Sequence, residues 1–535
     1  MMAGRKGWLL GYLALTTLLI VGLFGFGIGR EIFPRVDEGQ FRVRFRAATG
    51  TTIGKTEKIV QKALEIIQQD VGGAKNIGSS VAYVGAQAYN FPINSVYLWT
   101  SGPQEAVLDV ALKPGTGIRL DGLRERLRRD FAAQLPATAV SFEPTSLVER
   151  AMSGGSATPV EVSVSGYDLA AVRAYSAKIL ESLKTLPELR DLQYGQALDY
   201  PTIRVDLDRK AGGLEGITAQ RLSQALIPAT SSSRFITPLF WADTKLGTSF
   251  LVQVQVPQGA VSSVEDVKRL PVSQNGSTLP LGSVASVTTS SALGEIDRYN
   301  SQRTLSVIGN LQGMDLGRAT QRIMAKLKAL EGEKPKGVSV ALRGQMKPLK
   351  TMFQELGVGL ALALVAVFLL LATNFGSFSL AAVIFGTVPA VLAGVAGALF
   401  VSGTTLNVES YMGAIMAVGV ALANSILLVT FAERDRVRQG DSVKAALEGA
   451  QSRLRSILMT SLAMMVGMVP MALGWTEGGD LAAPLGRAVI GGLVAATGTT
   501  LFIVPMLFAL IQHKRTTASP SLDPEDPESP YFEEV

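Results

Sequence analysis

Six long apolar runs constrain this chain more than any other feature of its sequence. They are Trp8–Ile28, Leu356–Ala372, Leu380–Val401, Tyr411–Phe431, Ile457–Leu473 and Leu485–Ile511. A hydrocarbon core roughly 30 Å thick is crossed by about 20 mostly apolar helical residues. Each run is expected to cross as an unbroken helix, which satisfies every backbone N–H and C=O inside lipid. Their one charge, Arg487, stands near the end of its run. The first run follows Arg5 and Lys6 as a secretory signal would. It is too long for one, and the Gly29-Arg-Glu-Ile-Phe-Pro after it is no small-residue cleavage site, so a retained span is expected.

Orientation follows from Lys and Arg in the short connections. Arg434, Arg436, Arg438, Lys444, Arg453 and Arg455 lie between the fourth and fifth runs, and Arg5, Lys6, Lys514 and Arg515 lie at the ends. The alternate connections, 402–410 and 475–484, hold no Lys or Arg. Both termini are therefore expected in the cytoplasm and residues 30–350 outside. There is no cysteine, so disulfides contribute nothing to the external part. The formal charge of +6 does not point to nucleic acid, because the positive-inside clusters already account for it.

Strand and helix periodicities alternate between the first and second runs. Gln40–Ala47, Val81–Val84, Ser95–Thr100, Ala106–Leu112 and Ala139–Glu143 read as strands, and Thr56–Val71 and Gly122–Gln134 as helices, which makes a βαββαβ-type unit. A second unit opens with the strand Val160–Ser165 and the helix Leu169–Leu186. It resumes with Thr304–Leu311, Leu316–Leu330 and Val338–Leu342 after an inserted lobe. The predicted fold is a six-helix membrane domain in a 1+5 arrangement with a large external α+β domain. Its expected divisions are 1–29 (first span), 30–150 (first unit), 151–205 with 292–350 (second unit), 206–291 (lobe), 351–512 (five-helix bundle) and 513–535 (tail). The tail, Pro-rich and acidic after Lys514, has the composition of a disordered segment.

Enzymatic and metal chemistry find little support in the motifs. Gly50-Thr-Thr-Ile-Gly-Lys-Thr has three residues between its glycines where a phosphate-binding P-loop needs four, and it faces away from ATP, so it reads as a turn entering a helix. The one histidine, His513, lies at the cytoplasmic boundary, which excludes a His-dependent triad or zinc site outside. Thioethers could bind a soft cation, but the external Met152, Met314, Met324 and Met346 are scattered and read as packing. No metal site, no cofactor and no enzymatic activity are expected.

The second half carries a family pattern. Asn374-Phe-Gly-Ser-Phe, the run holding Pro389 and Gly394, Met416-Ala-Val-Gly-Val-Ala-Leu-Ala-Asn-Ser-Ile-Leu-Leu-Val, Arg453-Leu-Arg-Ser-Ile-Leu-Met-Thr-Ser and Gly486-Arg-Ala-Val-Ile-Gly-Gly through Val504-Pro505 occur in that order, with Ile32-Phe-Pro-Arg-Val-Asp-Glu-Gly after the first span. Over residues 5–512 the chain resembles the second half of a resistance-nodulation-division (RND) permease of the hydrophobe and amphiphile (multidrug) efflux branch. The resemblance implies two porter subdomains, a docking lobe at 206–291, an inner-membrane location with a periplasmic domain, and proton-driven export. It also implies trimers, an N-terminal half-permease, a periplasmic adaptor protein and an outer-membrane channel as partners.

Proton coupling needs a titratable group in the bilayer, yet no Asp, Glu or Lys lies in the middle of any run. The resemblance places Ala423 where the family has a lysine and assigns Asn424, Arg453 and Thr460 to the proton relay. It likewise assigns Tyr83, Gly85, Tyr89 and Phe91 to a switch loop beside the substrate pocket. Helix packing remains the other reading of Asn424 and Thr460, and core packing that of Tyr89 and Phe91. Two alternatives for the whole chain are a Sec-type accessory protein, with the same one-plus-five layout, and an inactive truncated permease.

Overall fold

The computed structural model of the protein describes residues 5–34, 39–85, 100–145, 147–257, 259–274, 277–475 and 479–513. Helix α1 (Arg5–Gly22) leads through a wider π-type turn at Leu23–Gly27 to the external part. There β1 (Gln40–Ala47), α2 (Ile53–Asp70), β2 (Ile77–Val84), β3 (Glu105–Leu112), α3 (Leu120–Gln134) and β4 (Thr138–Glu143) form the first unit, an antiparallel sheet in the order β2-β3-β1-β4. Most of the strand expected at Ser95–Thr100, residues 95–99, lies outside the described residues. Helix α2 buries Thr56, Val60, Ala63, Ile66 and Ile67, one stripe at helical spacing, against Phe41, Val43 and Phe45 from one face of β1.

The second unit comprises α4 (Leu147–Met152), β5 (Val160–Gly166), α5 (Leu169–Lys184) and β6 (Leu189–Tyr194). The chain then leaves on β7 (Tyr200–Leu207) into a lobe of α6 (Arg209–Leu214), α7 (Ala219–Thr230), β8 (Leu239–Asp243), β9 (Thr248–Val252), α8 (Val264–Lys268), β10 (Pro271–Gln274) and β11 (Ser277–Pro280). It returns on β12 (Ala285–Ala292), paired with β7 along its whole length, so the two strands form the stem of the lobe. The unit closes with β13 (Asp297–Tyr299), β14 (Gln302–Leu311), α9 (Leu316–Ala329) and β15 (Val338–Gly344), in the sheet order β13-β14-β5-β15 with β6 also on β14. First unit, second unit and lobe each enclose a separate apolar core.

Helix α10 (Met346–Asn374) runs without interruption from the second unit into the membrane bundle, and Phe353 packs against the cores of both. It is followed by α11 (Phe378–Phe385), α12 (Val388–Val401), α13 (Val408–Gln439), α14 (Ser442–Leu473) and α15 (Gly479–Ile511). Among the described residues six helical segments, α11 and α12 counted as one, are long and apolar enough to cross a membrane. The run expected as one unbroken helix at Leu380–Val401 is broken between α11 and α12. Pro389 has no N–H to continue a ladder, and Tyr12 of α1 serves the interrupted backbone instead. Its hydroxyl donates to the Gly386 carbonyl at 2.6 Å and accepts the Ala390 N–H at 3.2 Å.

Candidate functional site

The two external units face each other across a polar seam. Arg42, Arg44 and Arg46 alternate with the buried aromatics of β1, yet Arg42 and Arg44 are buried too, because carboxylates meet them. Arg42 binds Asp109 through two bonds of 2.6 and 2.7 Å, Arg44 donates to Glu143 at 2.5 Å, and Arg46 donates to Glu105 at 2.6 Å. Arg46 then crosses the seam and donates to the carbonyls of Tyr194 and Gly195 at 2.8 and 2.7 Å. A second crossing centres on Asp191 of β6. Its carboxylate accepts two bonds of 2.9 Å from Arg128 of α3, one of 2.8 Å from Asn310 and one of 3.3 Å from the Phe142 N–H. Asn310 also donates to Ser141 at 3.1 Å, and the Arg128 guanidinium lies 4.8 Å from the Phe142 ring centre. Asp191 holds φ +55°, a left-handed conformation unusual for a residue other than glycine. Polar contacts thus join two separately cored units, the kind of interface that permits relative motion.

Beside this seam opens a cleft of about 1160 Å³. Ile118, Phe142 and Lys113 line it from the first unit, and Met152, Asn310 and Gln312 from the second. Its membrane-side base is formed by Glu31–Pro34, Leu316 and Asp480. Apolar and charged side chains therefore share the walls. Several of the charges are already engaged: Glu143 by Arg44, Arg128 by Asp191, and Glu31 by a 3.0 Å bond from the Thr405 hydroxyl. Among the described residues no three His, Cys, Asp or Glu side chains converge as a cation cage would require.

The residues singled out from sequence are placed as follows. Tyr83 lies half-buried in β2 opposite Val107. Gly85 ends that strand at φ +80°, where an added Cβ would meet Ile53 Cδ1 at 3.0 Å, so the turn requires glycine. Neither lines the cleft, and Tyr89 and Phe91 lie outside the described residues. Asn424 is half-buried on α13, and Thr460 lies on the exposed surface of α14, its hydroxyl bonded back to Ser456 and Ile457 of its own helix. Arg453 sits 3.9 Å from the ring centre of Phe431. No hydrogen bond joins these three among the described residues. Ala423 and Thr460 both face outward from the bundle.

The Asp191 crossing and the cleft base were missed by the sequence reading. Asp191 lies in Leu-Arg-Asp-Leu, which carries no local signal, since its partners stand far away in the chain. The arginine row on β1 was a usable clue, because three cations on one strand face demand carboxylates on the neighbouring strands.

Similarity to known proteins agrees with this architecture. A family model described as the AcrB/AcrD/AcrF family matches residues 2–512. Protein HelA of Legionella pneumophila is 26% identical over 534 residues, covering 96% of this chain and 48% of its own length. The nickel and cobalt resistance protein CnrA of Cupriavidus metallidurans is 27% identical, covering 92% and 45%. A crystal structure of a heavy metal efflux pump superposes with a TM-score of 0.82 at 27% identity, over 96% of this chain and 51% of the pump. The chain spans about half the length of the curated relatives it matches. With six spans, two cored external units and a match along nearly its whole length, the chain belongs to the AcrB/AcrD/AcrF family of RND permeases.

Proposed function

We propose that the chain acts as the C-terminal half of an RND-type efflux permease in the bacterial inner membrane, passing cargo from the periplasmic side through the cleft between its two external units. The cleft carries this reading, because it lies at a polar seam where the units can part without exposing either core. Divisions 30–150 and 151–205 with 292–350 serve as porter subdomains and 206–291 as the docking lobe. The functional pump is a trimer working with an adaptor and an outer-membrane channel. Coupling requires a companion half, on this polypeptide or another, because no Asp, Glu, Lys or His lies in the middle of these spans and arginine stays charged. Ala423 and Thr460, exposed on α13 and α14, offer the face for that half, and Asn424, Arg453 and Thr460 complete its relay. Tyr83, Gly85, Tyr89 and Phe91 keep the role of a switch loop for cargo entry that the family resemblance assigns to them.

For cargo, the mixed lining with Ile118, Phe142 and Leu316 beside charges that are largely paired supports hydrophobic or amphiphilic molecules. The similarity to CnrA and to the superposed heavy metal efflux pump favours metal cations as the second reading; the cleft offers Glu31, Glu149 and Asp480 as hard carboxylate ligands, which do not converge into one cage among the described residues. A tolerance profile in a pump-deficient host expressing the chain with an aspartate-bearing half separates the two. Raised tolerance to dyes and detergents, with nickel, cobalt and zinc tolerance unchanged, supports the first; the opposite pattern installs the second. In proteoliposomes, Arg453→Ala and Thr460→Ala are expected to cut export at least tenfold with assembly intact, and Ala423→Lys is expected to be tolerated. Proton-coupled export by this half alone would overturn the need for a companion.

A further inference from the structure

Where α1 leaves the bundle, its exit segment lies between two other parts of the molecule. On one side Leu406 donates its N–H to the Gly29 carbonyl at 2.8 Å, Glu31 donates to the Leu406 carbonyl at 3.0 Å, and Val408 donates to the Ile32 carbonyl at 3.2 Å. These bonds make a short parallel bridge directly before Asn407, whose side chain caps α13. On the other side Asp315, the buried cap of α9, accepts the Arg318 N–H at 2.9 Å and, through the same oxygen, the Arg30 N–H at 3.0 Å. The Arg30 carbonyl in turn accepts the Gly317 N–H at 2.9 Å, and Arg318 reaches back to the Gly27 carbonyl at 3.1 Å. The segments pass so closely that a Cβ on Gly29 would stand 2.8 Å from the Asp315 carboxyl carbon, and one on Gly317 would stand 2.8 Å from Arg30 Cβ.

An unbroken line of backbone bonds therefore runs from the start of α13 through residues 29–32 to α9 of the second unit. It also borders the cleft, since Glu31, Ile32 and Leu316 form its base.

We propose that Asp315 is the positioning residue that couples displacement of α13 in the membrane to the opening of the external cleft, by joining the exit segment of α1 to α9. Asp315 touches no cargo. It works by holding Arg30 and α9 together, so that α13, which carries Asn424, cannot shift without moving the second unit. This coupling rests on the efflux reading above, and the test keeps the two apart.

The cysteine-free full chain allows spin labels at Lys113→Cys and Gln312→Cys, which border the cleft from opposite units. Asp315→Ser retains a favoured cap for the Arg318 N–H, but its side chain is too short to reach Arg30 as well. Asp315→Asn retains both acceptances. In the purified protein, without any transport, the label-to-label distance distribution is expected to broaden in Asp315→Ser and to stay narrow in Asp315→Asn, with thermal stability alike in both. Gly317→Ala should broaden it too, whereas Gly332→Ala, with open space around it, should not. Transport with the companion half is expected to lose at least tenfold in turnover in Asp315→Ser at unchanged half-saturation, with Asp315→Asn restoring it. An unbroadened distribution, or unimpaired turnover in Asp315→Ser, overturns the coupling role. If the distribution broadens but the unsubstituted protein exports nothing, the efflux reading falls and the mechanical link stands.

Discussion

Buried ionic groups in the external units show how single residues depend on distant ones. Glu295, in the connection between β12 and β13, has its carboxyl pushed up to about 7, first by burial and then by repulsion from Asp297 and Glu105, with Arg46 and Arg44 opposing. Burial likewise raises Asp297, against the hydrogen bond it accepts from Gln196. The folded protein therefore holds a proton on Glu295 between its ordinary 4.5 and about 7, where the unfolded chain does not. Stability from this group falls as pH rises through that window, and the penalty is complete above it. Glu295→Gln should accordingly stabilise the protein at pH 8 by about 1 kcal/mol, after allowance for the solvent that reaches this half-buried group. Below pH 4.5 it should change nothing. Thermal melts at the two pH values check this, and an equal effect at both would show that the carboxyl is not the cause.

At the scale of elements, glycine decides how the membrane helices meet. Gly394 of α12 and Gly491 of α15 face each other, so that a Cβ on Gly491 would collide with Ala398 and one on Gly394 with the Gly491 carbonyl. Gly413 of α13 meets α15 just as closely, its absent Cβ lying 2.7 Å from the Leu485 carbonyl. Helices in lipid gain from such close approach because no hydrophobic drive brings them together. Gly491→Ala should therefore destabilise the bundle by about 1–3 kcal/mol through overpacking. Gly498→Ala, seven residues on in the same helix with open space around it, should be neutral or slightly stabilising. Denaturant titration of the helical signal in detergent distinguishes them, and equal effects would refute the packing account. The break at Gly386–Thr387 belongs to the same scale, since Tyr12 makes it tolerable from another span.

The whole molecule joins rigid parts with different interiors. The α11–α12 span, α13 and α15 bury about half of their apolar windows, whereas α1, α10 and α14 bury little more than a tenth or less. Exposed apolar faces of that extent fit lipid or a companion half. Topology is checked by an impermeant maleimide on intact cells, with labelling expected at the exposed Lys245→Cys of the lobe and not at Arg438→Cys in the last turn of α13. The neighbouring Arg436 is a poor reporter, being buried against Glu433 through bonds of 2.9 and 2.8 Å. Labelling at Arg438→Cys without Lys245→Cys would reverse the orientation.

Six long apolar helices and most strands and helices of the two units between the first and second of them were legible in the sequence, because hydropathy and side-chain periodicity act over neighbouring residues. Helix α2 and strand β1 needed only their own spacing to declare themselves, and the motif order from Asn374 to Pro505 identified the family. The broken span between α11 and α12 was not legible, since Pro389 alone does not reveal that a tyrosine from the first span serves the gap. Neither was the seam, where Arg128, Asp191 and Asn310 come from three elements separated by long stretches of chain. The same holds for Asp315 and Arg30, whose bond spans nearly the entire external domain in sequence. Local forces determined what each segment is; only the tertiary structure decided which polar groups would be buried together, because burial without a partner is too costly and the partner is chosen by folding, not by proximity along the chain.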